Sequence, residues 1–107
     1  MLSAFLANVR SLFNKLDDFD TVMRINNVDI ACISETWLSD EVPSEAVSMN
    51  GFVLLRNDRS RRGGGVACFV KSALPCTRLH YLQSQSLESL WLLIRTIQHG
   101  CHVGCLI

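Results

Sequence analysis

The apolar residues of this chain change rhythm several times, and each change marks an element. Leu2 to Val9 is a short, mostly apolar run that reads as a strand leading to Asn8. Leu12, Leu16, Phe19 and Met23 then recur at spacings of four, three and four. That pattern places them along one face of a helix, with Asp17, Asp18 and Arg24 largely off it. Asn26-Asn27 is a suitable helix stop. From Val28 to Ser34 the helical rhythm disappears: Ile30, Ala31, Cys32 and Ile33 are contiguous, as in a central strand covered on both faces. Strand, helix, strand implies a right-handed crossover joining two parallel strands.

Ser39 to Asn50 is polar, contains Pro43 and reads as a loop with room for one short helical turn. Gly51 to Arg56 and Gly65 to Lys71 read as the arms of a hairpin, with Asn57 to Gly64 as an Arg- and Gly-rich tip. Ala73 to Thr77 reads as a Pro-containing loop. Leu87 to Ile97 carries the apolar strand Ser89-Leu-Trp-Leu-Leu-Ile-Arg-Thr-Ile, Gln98-His99-Gly100 is a turn, and Cys101 to Ile107 begins another strand. The predicted class is mixed α/β (α+β), with no internal repeat and no low-complexity segment.

Length and charge narrow the function classes. The 107 residues make one small domain or part of a larger one, and 49% of them are apolar, which is ample for a core. Ten Lys and Arg balance ten Asp and Glu, so no net field draws the chain to nucleic acid or membrane. Any nucleic-acid contact must come from a local patch. No apolar run approaches the roughly 20 residues of a membrane-spanning helix. The start, Met1-Leu-Ser-Ala-Phe-Leu-Ala, lacks the basic leader and the length of a secretory signal. The cysteines, Cys32, Cys68, Cys76, Cys101 and Cys105, are odd in number and irregularly spaced, and three lie in apolar strand-like runs. A reduced intracellular protein, nuclear or cytoplasmic, is therefore favoured over a disulfide scaffold. His102 to Ile107 is an apolar strand without a polar cap, as if the chain were cut inside a sheet. An exposed hydrophobic edge and poor solubility are expected from it.

Two polar residues stand where the parallel strands leave the core. Asn8 ends the first and Glu35 follows the second, and ligands collect at the carboxyl ends of strands in open α/β sheets. A carboxylate and an amide oxygen are hard-oxygen ligands suited to Mg²⁺. Beside a phosphodiester, that ion acts as a Lewis acid on the phosphate and the leaving oxygen. On spacing alone, the plainer reading of Asn8 as a strand terminator and Glu35 as a solvated loop carboxylate is the stronger.

Four segments shift that balance: Asn8-Val-Arg-Ser-Leu, Asp29-Ile-Ala-Cys-Ile-Ser-Glu-Thr-Trp-Leu, Gly51-Phe-Val-Leu-Leu-Arg-Asn-Asp-Arg and Gly63-Gly-Gly-Val-Ala-Cys-Phe-Val-Lys. In this order they closely resemble the endonuclease domain of LINE-like, non-long-terminal-repeat retrotransposons. That domain is part of the endonuclease/exonuclease/phosphatase superfamily. The resemblance covers essentially the whole chain. It implies the N-terminal half of a two-sheet β-sandwich flanked by helices, with residues 1–107 as a partial domain. It also implies DNA as substrate, Mg²⁺ as cofactor of the intact domain, and Asn8 and Glu35 as catalytic, metal-side residues. The family's further requirements are a tyrosine after the strand that begins at Cys101, a Gly-Asp-Phe-Asn-like motif and a terminal Asp-His pair. None occurs in these residues, and Tyr81, His80, His99 and His102 match no catalytic position. A fragment of a DNA-nicking phosphodiesterase, inactive alone, is the expectation. The alternatives are another phosphoesterase of the superfamily, or a remnant that binds nucleic acid or protein without catalysis.

The remaining features have two readings each. Arg56, Arg59, Arg61 and Arg62 cluster at the hairpin tip; Arg59, Arg61 and Arg62 are candidate contacts for DNA phosphates, and a solvated turn is the plainer account. His99, Cys101, His102 and Cys105 suggest zinc, but Cys101 and Cys105 share a strand face that His102 does not, so a strand with buried cysteines is preferred. Trp37 is expected to pack the rim beside Glu35, helping to hold that carboxylate, and Trp91 to fill the sandwich core. Glu88 is read as a strand-end charge with no chemistry.

Overall fold

The computed structural model describes residues 2–59, 63–83 and 88–95, and the backbone of 100–106. Strands β1 (Ala4–Asn8) and β2 (Ile30–Ser34) run parallel, with Ala4 opposite Ile30 and Asn8 opposite Ser34. The crossover between them is a 3₁₀ turn over Phe13–Lys15 followed by helix α1 (Leu16–Ile25). Asp17 and Asp18 in its first turn and Arg24 in its last complement the helix dipole. Asn27, at φ +51°, takes the left-handed conformation that ends it. Strands β3 (Phe52–Asn57) and β4 (Val66–Lys71) form the expected antiparallel hairpin, and β4 also pairs with β2, giving a first sheet of order β1-β2-β4-β3. The second sheet is an antiparallel meander of β5 (Cys76–Arg78), β6 (Ser89–Arg95) and β7 (Gly100–Leu106). The architecture is thus mixed α/β, with a helix on one face of the first sheet and a second sheet on the other.

The contiguous apolar run of β2 is explained by this layering. Ala31 and Ile33 face the helical layer, where they join Leu12, Phe19, Met23 and, from β4, Ala67 and Phe69. Ile30 and Cys32 face the second sheet with Val66, Cys68, Val70, Leu90, Leu92 and Ile94. β4 is likewise buried on both faces. The loop from Ser39 to Asn50 holds one 3₁₀ turn, Ser44–Val47, whose Val47 closes the helix-side core.

Two expectations need correction. The segment read as a Pro-containing loop over Ala73 to Thr77 ends in strand β5, paired with β6 from Cys76 opposite Ile94 to Arg78 opposite Leu92. Three residues are too few to show a period, so the sequence carries no strand signal there. Trp91 does not fill the inter-sheet core. The alternation of β6 turns Leu90, Leu92 and Ile94 inward and leaves Trp91 on the opposite, partly exposed face. In a strand apolar on both faces, the phase cannot be read from the residues themselves. Along the outer strand β1, Leu6 pairs in register with Cys32 yet is 77% exposed, because the inter-sheet packing does not extend over it.

Candidate functional site

The loops after β1 and β2 leave the core side by side. Val9 N–H donates to Ser34 O at 3.0 Å, Ser11 N–H to Glu35 O at 2.9 Å and Leu12 N–H to Thr36 O at 2.9 Å. On the other side, the Gly-rich loop before β4 lines up against the same segment, with Trp37 N–H donating to Gly64 O at 2.8 Å and Thr36 N–H to Gly65 O at 3.4 Å. Residues 35–37 are therefore gripped from both flanks. This grip sustains left-handed backbone at two non-glycine residues, Glu35 at φ +55° and Trp37 at φ +56°. Such strain costs of order 1–3 kcal/mol per residue and persists only where neighbours over-determine the geometry. Gly65 is required for the close approach: a Cβ there would lie 2.4 Å from Oγ1 of the buried Thr36.

The conformation aims the Glu35 carboxylate at its own neighbours. Oε2 accepts from the Trp37 indole N–H at 2.7 Å and from Gly64 N–H at 3.4 Å, and among the described residues Oε1 accepts none. The indole hydrogen bond holds this carboxyl below its ordinary pKa. Partial burial opposes that effect, while the Gly64 N–H and the charges of Arg59 and Arg10 add to it. Glu35 is accordingly an ionised carboxylate with one open oxygen. It lines a cleft of about 1050 Å³ together with Asp40, Glu41, Asp58, Arg59 and Trp37, which is 50% exposed.

Asn8 stands at the same sheet edge, opposite Ser34 and one residue short of Glu35 in register. It is exposed and does not line the cleft. Among the described residues there is no group of three or more His, Cys, Asp and Glu able to hold a metal ion. Mg²⁺ keeps several waters and is commonly bound by one or two carboxylates with substrate phosphates, so one open carboxylate fits a hydrated ion. It does not fit a site built wholly from protein ligands.

The arginines separate. Arg56 is not a free phosphate contact: its guanidinium bonds Asp58 at 2.7 Å, Val42 O at 2.8 Å and Ser39 O at 2.9 Å, tying the 39–44 loop to β3. Arg59 lines the cleft and pairs with Glu88 at 2.7 Å. Arg61 and Arg62 lie outside the described residues, as does His99. Cys101 pairs in register with Ile94 and Cys105 with Leu90, while His102 pairs with Leu93. Sequence reasoning gave Glu88 no role, yet its carboxylate bonds Arg59 and the Gly65 N–H. Its contacts lie 23 and 29 residues away, and no local pattern reports them.

No protein-family model matches this sequence, and no curated protein matches it. The fold is nevertheless similar to that of AP endonucleases of known structure. It matches the crystal structure of an AP endonuclease from Leishmania major with a TM-score of 0.75 and 18% identity, over 99% of this chain. An AP endonuclease from Archaeoglobus fulgidus matches over 95% of the chain, with a TM-score of 0.62 and 17% identity. The chain spans 40% of the length of each of these proteins. Among the described residues, no helix is long and apolar enough to cross a membrane.

Proposed function

We propose that residues 1–107 are the N-terminal part of a Mg²⁺-dependent DNA endonuclease domain of the LINE-like retrotransposon type, whose reaction is hydrolysis of a phosphodiester to nick target DNA. The observation that carries this reading is the Glu35 carboxylate, ionised and held with one oxygen open, at the carboxyl ends of two parallel strands whose other end residue is Asn8. The likeness in fold to AP endonucleases supports it, as do the ordered motifs around both residues.

In this reading Glu35 and Asn8 hold the ion, which when bound supplies Lewis acidity at the scissile phosphate. Trp37 fixes the carboxylate's orientation and keeps it ionised. Arg59 contributes positive charge at the rim, and Arg61 and Arg62 are further candidate contacts for DNA phosphates. The cleft wall carries four carboxylates, Glu35, Asp40, Glu41 and Asp58, against Arg59. A polyanion therefore needs a cation to enter. Groups that activate water and stabilise the leaving oxygen act as a unit. One carboxylate and one amide are not that unit, so this chain alone should not nick DNA.

A supercoiled-plasmid assay with Mg²⁺, comparing this chain with Glu35→Ala, tests the reading. Background nicking from both, together with Mg²⁺-dependent DNA binding lost in Glu35→Ala, is the expected result. Nicking by the chain that Glu35→Ala abolishes would overturn the inactivity. Binding unaffected by Mg²⁺ and by Glu35→Ala would favour a non-catalytic module.

A further inference from the structure

Glu88 lies outside every motif, yet it organises the mouth of the cleft. Its Oε2 accepts from Arg59 Nε at 2.7 Å and its Oε1 from the Gly65 N–H. Its side chain is 16% exposed, against 41% for Arg59, so the carboxylate is the anchored member of the pair. Arg59 and Glu35 line one cleft and meet at Gly64, whose N–H donates to Glu35 Oε2 and whose absent Cβ would lie against the Arg59 guanidinium. A guanidinium forks readily onto a carboxylate. Closing on Glu35, Arg59 would cover the open Oε1 with a fixed positive charge, and a divalent cation could not bind there.

Two features hold Arg59 away. Glu88 supplies the competing carboxylate. Gly64 supplies the room: a Cβ at that position would sit 2.4 Å from the Arg59 Cζ and Nε atoms, so the guanidinium occupies space that any side chain would fill. Asp58 is not an alternative keeper, because Arg56 already claims it at 2.7 Å.

We propose that Glu88 is a positioning residue that holds Arg59 off Glu35 and so keeps Glu35 open to a divalent cation; this rests on the reading of Glu35 as a cation ligand. The test is calorimetric titration of the 107-residue chain with Mg²⁺ alone. Glu88→Gln keeps an acceptor for the Gly65 N–H and removes the charge that holds Arg59. It should weaken Mg²⁺ binding on the order of fivefold, the worth of one exposed ion pair formed at Glu35. The double variant Glu88→Gln/Arg59→Gln should restore binding to at least the wild-type level, because no guanidinium remains to close. Gly64→Ala displaces Arg59 from the other side and should show the same loss, again cancelled by Arg59→Gln.

A role for Glu88 in loop structure alone predicts a double variant as weak as the single one, and that result would overturn the proposal. So would wild-type affinity in both Glu88→Gln and Gly64→Ala. Mg²⁺ binding by the wild type that Glu35→Gln leaves intact would instead remove the reading of Glu35 itself, and the proposal with it.

Discussion

Replacing Gly65 with alanine should destabilise the fold by about 2–4 kcal/mol, and the structure supplies each part of that figure. At φ +93° an L-residue costs about 1–2 kcal/mol. The new Cβ would stand 2.4 Å from Thr36 Oγ1 and 3.8 Å from the Asp58 backbone. Thr36 is buried, its N–H bonds Gly65 O, and its Oγ1 accepts from Leu38 N–H at 3.4 Å. It cannot swing aside without disturbing the segment that carries Glu35. Forcing an atom into such a site costs about 1–3 kcal/mol, while the stiffer unfolded chain returns about 0.4–1 kcal/mol. Gly51 is the control: its φ is +89°, but nothing lies within 4 Å of its absent Cβ, so Gly51→Ala should cost only about 1 kcal/mol. Pulse proteolysis across a urea series, at protein concentrations low enough to avoid association, should place the Gly65→Ala midpoint on the order of 1 M below that of Gly51→Ala. Equal midpoints would refute the argument, since they would mean that the 35–37 segment yields freely to the loop beside it.

Trp37→Phe removes the indole donor, so the Glu35 pKa should rise towards the ordinary glutamate value in a carboxyl-carbon NMR titration; an unmoved titration would count against the Trp37 bond. In the wild type, where that pKa is lowered, Mg²⁺ binding should survive below the ordinary glutamate range and fade only as pH falls through the lowered value. Partial burial raises the Asp29 pKa, but the Ser3 N–H at 2.8 Å and Lys71 at 3.1 Å outweigh it and the net shift is downward. Its contribution is thus complete above the unfolded pKa and lost as pH drops through the folded one, and Asp29→Asn should cost about 1 kcal/mol at neutral pH and flatten the acid limb of stability. Phe69→Ala, at a fully buried position beside Phe19, should cost about 3–5 kcal/mol in the same urea assay. Leu6→Glu should raise solubility in a sedimentation assay with little change in midpoint, because Leu6 is exposed on an outer strand.

Where burial imposes a pattern, the elements of this fold are legible in its residues. The stripe Leu12, Leu16, Phe19 and Met23 marks the helical crossover, although its first turn is 3₁₀. The unbroken run of β2 marks a strand with two covered faces, and the glycines before β4 mark the hairpin turn. β5 was hidden because three residues show no period, and the facing of Trp91 because both sides of β6 are apolar. At the site, Glu35 and Asn8 stand out through their position at strand ends. Trp37 was legible as the neighbour that holds the Glu35 carboxylate, but the Gly64 N–H bond to it and the Glu88 contacts to Arg59 and Gly65 were not, because they come from distant parts of the chain. Arg56, which clusters in sequence with the candidate DNA contacts, is engaged elsewhere for the same reason, since its partners Ser39 and Val42 lie 17 and 14 residues away.

The double pairing of β4 has a consequence for how the chain is born. The β1–α1–β2 crossover and the β5–β6–β7 meander are sequence-local, whereas β4 must reach back to β2, joining Cys68 to Cys32 across 36 positions. Ribosomes extend a chain by about 5–20 residues per second, so Glu35 exists for about 1.5–6 s before Gly64, the glycine that braces it, has been made. Glu88 comes later still. The carboxylate is made before its surroundings, which are complete only once Glu88 has been added. The glycine that braces Glu35 and the Asp58 and Arg59 that line its cleft are therefore added to a carboxylate already made.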